Sequence, residues 1–140
     1  MDKKAFIHRV AERMGCDDRW AESLTFAVFQ ELRDRLTPSE AADVEAQMPA
    51  GLKSLWESLD RPDRQVRRVH GPQFIGEVRL IASLPDEKEA ERAVVAVFAT
   101  LQELLGSPTG MEGEAWDVMS QLPKDLKKLW LNARQRAAAL

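Results

Sequence analysis

His8, Glu12 and Cys16 follow one another at intervals of four residues. On an unbroken helix that spacing sets an imidazole, a carboxylate and a thiol along one edge. Such a set could ligate a transition metal, which demands a defined tetrahedral geometry. Gly15 argues against it, because glycine ends helices, leaving Cys16 beyond the last turn and His8 at a solvent edge. Cys16 alone could be a nucleophile, since the free amides of a helix start favour a thiolate. Asp17 and Asp18 oppose this by raising its pKa, so a loop thiol is expected. In "PDEKEAE" (85–91), Glu87 and Glu91 share a helical face, but acids in a first turn complement the helix dipole, and no Asp-x-Asp-x-Asp-Gly loop exists. No catalytic, metal or cofactor-binding set emerges, and the chain is expected to be no enzyme and to carry no cofactor.

Arginines offer the other chemistry. Arg61, Arg64, Arg67 and Arg68, with His70, could contact phosphates, and Lys124, Lys127, Lys128, Arg134 and Arg136 form a second basic region. Asp60 and Asp63 interleave the first cluster, tyrosine is absent, and the net charge is −3. No Walker or Rossmann glycine pattern is present. Phosphate or nucleic-acid binding through residues 61–70 and the C-terminal basic helix is therefore the second reading, behind a non-enzymatic interaction or scaffold module.

These residues must be positioned by helices, and the chain describes its helices twice. "FIHRV" (6–10) matches "FIGEV" (74–78) at an offset of 68, with 3 of 5 residues identical. "AESLTFAVFQELRDRL" (21–36) matches "AERAVVAVFATLQELL" (90–105) at an offset of 69, with 7 of 16 identical. "EAADVEAQMPAGLKSLW" (40–56) matches "EAWDVMSQLPKDLKKLW" (114–130) at an offset of 74, with 10 of 17 identical. Agreement this dense marks an internal repeat, here over 3–59 and 72–137 with a linker at 60–71. The five residues added between the last two blocks fall around "GSPTGMEG" (106–113), where a loop is expected.

Each half reads as about four helices. Residues 3–14 place Phe6, Ile7, Val10 and Met14 on one face. Asp17 suits the N-cap of a helix over 18–36, with Leu24, Val28, Leu32 and Leu36 at i+4 spacing. Thr37-Pro38-Ser39-Glu40 reads as a capping box opening a third helix, and Pro49 starts a fourth. The second half is expected at 72–82, 86–105, 111–121 and 123–137, with its long helix the most buried of the protein. A half of this size supplies little core, so the two should pack as one pseudo-twofold bundle, a single all-α domain over 1–140.

Four tryptophans divide by the repeat. Trp56 and Trp130 are equivalent and belong to the core, whereas Lys53 and Lys127 beside them should point into water. Trp20 and Trp116 align with Glu89 and Ala42, so they serve either the seam between halves or a partner surface, in which Met111 would join them. The expected partner is an unknown protein or a second copy of the chain.

Composition agrees with a globular protein: 44% hydrophobic and 31% charged residues. One cysteine excludes an internal disulfide framework. "AVVAVFATLQELL" is too short and interrupted to span a bilayer, and His8 and Arg9 break the first apolar run, so no membrane association and a cytoplasmic location are expected. "FIHRVAERMG", the "AESLTFAVFQELRDRL" helix with "TPSEAADVEAQMP", and "LKSLW", echoed as "FIGEV", "AERAVVAVFATLQELL" and "SQLPKDLKKLW", resemble the domain of unknown function 2267 group of bacteria and archaea. The resemblance covers nearly the whole chain and implies a helical protein without an established activity. It brings no functional residues.

Overall fold

The computed structural model describes residues 1–60 and 71–140; among them there are nine helices and no strand. In chain order these are α1 (Lys3–Met14), α2 (Asp18–Arg33), α3 (Pro38–Glu45), α4 (Ala50–Ser58), α5 (Gly71–Ile81), α6 (Glu87–Leu104), α7 (Gly113–Met119), α8 (Lys124–Leu131) and α9 (Ala133–Ala137). Four starts are fixed by side chains. The carboxylates of Asp2, Asp17 and Asp86 accept from the amides of Ala5, Trp20 and Glu89, each at 2.8 Å. At α3 the capping box forms in both directions: Glu40 N–H donates to Thr37 Oγ1 at 3.1 Å, and Thr37 N–H donates to Glu40 Oε1 at 2.8 Å. Gly15 ends α1 at φ 66°, where its amide reaches back to the carbonyls of Ala11 and Glu12.

Three boundaries differ from those expected. Helix α2 stops at Arg33, and Leu36 reaches the core from a turn instead. The third helix of the second half begins at Gly113 and ends at Met119, shorter at both ends than 111–121. The last segment, expected as one helix over 123–137, breaks at Asn132 (φ −96°, ψ 1°), so α9 leaves the line of α8 and lies against both α8 and α6. The break lets Ala133 and Ala137 pack while keeping Trp130 inside.

Helix α6 is the centre of the molecule: every residue from Ala93 to Gln102 is buried. It packs against α1, α2, α5, α8 and α9. Helix α1 lies on α2 and α6, while α5 lies on α6 and α2, so each short helix touches the long helix of both halves. Two aromatic chains run through the core. Phe6 meets Phe29 at 5.8 Å, and Phe29 meets Trp56 edge-on at 5.5 Å. Phe74 meets Phe98 at 6.0 Å, and Phe98 meets Trp130 edge-on at 5.4 Å. Both tryptophan carbonyls are tied to a long helix, one by Arg33 Nη1 at 2.8 Å and the other by Gln102 Nε2 at 2.6 Å. Lys53 and Lys127, expected in water, are half-buried.

Candidate functional site

Several large apolar side chains are exposed near one another, on α2 in the chain's first half and at the end of α5. Trp20 and Phe26 on α2 are each 39% exposed, and Leu80 at the end of α5 is 71% exposed. Trp20, Phe26, Leu55 of α4 and Ile81 line a groove of about 490 Å³, with Arg19 and Glu22 on one rim. Asp17 fixes where α2 begins and hence where Trp20 projects. Phe26 lies off the Leu24–Val28–Leu32 stripe that α2 buries, so it faces outward by construction. On the far side, Ser83 adopts φ 55° and turns the chain back after α5, with Ala82 packed beneath it.

The groove holds Trp20 but neither Trp116 nor Met111. Trp116 is half-buried against the core, and Met111 is 53% exposed on the inserted loop. That loop has an inward role. Glu112 Oε1 accepts from Ser107 Oγ at 2.8 Å and from Thr109 N–H at 3.0 Å, and Oε2 accepts from Thr109 Oγ1. These hydroxyls hold the Glu112 carboxyl low, at a pKa of about 2. The loop so organised presents the Gly110 carbonyl to the buried Trp130 Nε1–H at 2.6 Å. Trp56 Nε1 is buried with no acceptor among the described residues.

The set formed by His8, Glu12 and Cys16 does not assemble. Its imidazole turns to Asp18, with Nδ1 3.1 Å from Oδ1, and Glu12 lies 3.8 Å from Nε2. Cys16 lies beyond the helix, half-buried; burial raises its thiol pKa, and Asp17 and Asp18 raise it further, which keeps the sulfur protonated and a weak nucleophile. Arg61, Arg64, Arg67 and Arg68 lie outside the described residues. Arg136 is paired with Glu91.

One charged cluster was not expected from the sequence. Arg35 is fully buried, over the face of Phe74 at 4.8 Å. Its Nη1 donates to the Glu31 carbonyl at 2.7 Å and to Glu31 Oε1 at 3.0 Å, and its Nη2 is 3.6 Å from Glu77 Oε2 of α5. Burial, with help from a hydrogen bond to Glu77 and its charge, pushes the Glu31 carboxyl up to about 8 despite Arg35. The i,i+4 spacing of Glu31 and Arg35 was visible, but such pairs are usually solvated; only the docking of α5 buries this one.

No helix among the described residues is long and apolar enough to cross a membrane. No curated protein matches the chain. The model of one family, described as "Uncharacterized conserved protein (DUF2267)", matches residues 3–129. The match takes in α1 to α7 and most of α8, and with it Trp20, Phe26 and the core Trp56, so the chain belongs to the DUF2267 family.

Proposed function

We propose that this protein is a non-enzymatic helical interaction module, two copies of one four-helix plan joined about a pseudo-twofold, whose open groove receives a helix of a partner protein. The observation that carries this reading is a difference between equivalent faces. By the offsets of the sequence echo, Arg19, Glu22, Ser23, Phe26 and Leu55 correspond to Lys88, Glu91, Arg92, Val95 and Leu129. The second set is partly filled: Arg136 of α9 pairs with Glu91, Ala139 and Leu140 lie beside Arg92, and Val95 is buried, while a cleft of about 490 Å³ stays open between Lys88, Glu91 and Leu129. On the first set no described helix lies, and a phenylalanine and a tryptophan stand there instead. A short amphipathic helix is the shape that such a face accepts, its apolar side against Phe26 and Ile81 and a basic residue toward Glu22. Trp20 then serves as an anchor at the edge, the residue type most often found to dominate interface energy. The twin aromatic chains and the twin ties to the tryptophan carbonyls support the duplicated plan.

The test is affinity capture from native lysate with the intact protein and with Trp20→Lys/Phe26→Lys, followed by titration of the purified partner. Both changed residues are exposed, so the variant should keep its fold. The groove reading expects affinity to fall by about thirtyfold or more, the loss that goes with a central anchor. Equal affinity of both forms for the captured protein would contradict it. A concentration-dependent dimer abolished by the same pair would replace the partner helix by a second copy of the chain.

A further inference from the structure

Away from the groove, Arg9 and Arg13, one turn apart on α1, meet Arg134 of α9 around a pocket of about 320 Å³ floored by Ala137 and edged by Glu12 and Leu140. The arginines come from two helices that do not neighbour each other in sequence, so the fold brings like charges together here. Arg13 is nearly buried, with its side chain 10% exposed, and is held by Thr100 Oγ1 at 2.7 Å and by Glu103. Arg9 shares the same Glu103 oxygen, with its Nε at 3.4 Å. Arg134 Nε is buried without an acceptor among the described residues. Glu12, at the rim, leans to His8 instead. Three guanidiniums thus surround one concave space with Glu103 serving two of them, an arrangement in which positive charge and forked donors exceed their local acceptors.

We propose that this pocket binds a small phosphate-class anion, such as inorganic phosphate, pyrophosphate or a phosphomonoester, through Arg9, Arg13 and Arg134. Planar guanidiniums match tetrahedral oxyanions in bidentate fashion, which is why arginine dominates such sites. The electrostatics of Arg13 agree: burial lowers its pKa most, and the charges of Arg9 and Arg134 add to that, against Glu103. An anion would reverse the repulsive part of this balance. The pocket's volume of about 320 Å³, the carboxylate at its rim and the net charge of −3 favour a compact anion over a long polyanion such as nucleic acid. This site shares no lining residue with the groove.

Pyrophosphate titrated calorimetrically into the full-length chain at low ionic strength tests the proposal. Saturable one-site binding is expected, weakened about tenfold or more in Arg134→Gln and in Arg9→Gln, the loss of one charge-assisted contact. Arg134→Lys, which keeps the charge but not the fork, should fall between, and Arg64→Gln/Arg67→Gln should bind like the parent. Thermal unfolding of each variant without anion separates lost binding from lost fold. Absence of saturable binding in the parent would overturn the assignment. So would full affinity in folded Arg134→Gln, loss confined to the 64/67 variant, or an oligonucleotide binding tighter than pyrophosphate per phosphate.

Discussion

Two buried indoles at matching depth differ in one hydrogen bond, and that difference can be measured. Trp130 Nε1–H reaches the Gly110 carbonyl, while Trp56 Nε1–H meets no acceptor among the described residues and gains instead from Arg33 over its ring at 5.4 Å. Replacing either ring by phenylalanine removes similar volume. Trp130→Phe also strands a buried carbonyl, so it should cost about 1 kcal/mol more than Trp56→Phe in urea unfolding. Gly110 has a second reason to be glycine. Its φ is 84°, and a Cβ there would sit 3.1 Å from Gln102 Nε2 and 3.2 Å from Trp130 Nε1. Gly110→Ala should therefore destabilise by about 1–3 kcal/mol, whereas Gly106→Ala, with a similar φ but open space around it, should cost less in the same assay. Sequence reading found both core tryptophans through their equivalent places in the echo. It could not see that the inserted loop feeds one of them, because that contact joins residues 20 apart across a non-helical turn.

At the level of helices, local signals were legible and docking was not. Gly15, Asp17, the Thr37–Glu40 box and Pro49 each act through neighbours within four residues, and each marks a boundary where the sequence placed it. The break at Asn132 has no such signal; it exists because α9 must bend onto α6. Phe26 was passed over for the same reason: its exposure depends on where α4 and α5 stop. The α2–α5 contact carries a prediction. The Glu31 carboxyl titrates near 4.5 in the unfolded chain and near 8 when buried beside Glu77. Between those values the folded state binds more protons, so this group's contribution to stability is full below pH 4.5 and declines as pH rises toward 8. Melting temperature measured from pH 5 to pH 8.5 should show this decline, and Glu31→Gln should flatten it. A parent melting temperature that rises across that range, with no change in slope in the variant, would count against a shared proton at this seam.

For the whole molecule, the central claim is that one core serves both halves. The long helix α6 takes α1 from the other half, α2 takes α5, and the two long helices touch. A half by itself would expose those faces and could not offset the chain entropy of some 70 residues. The open groove of Trp20 and Phe26 and the arginine pocket between α1 and α9 both depend on this arrangement, since each is lined from more than one element. The most direct measurement is thermal unfolding of residues 1–66 and 67–140 prepared separately and then mixed in equal amounts. Each alone should melt without a cooperative transition, and mixing should restore helicity and a sharp one. Cooperative unfolding of either fragment alone would contradict the shared core.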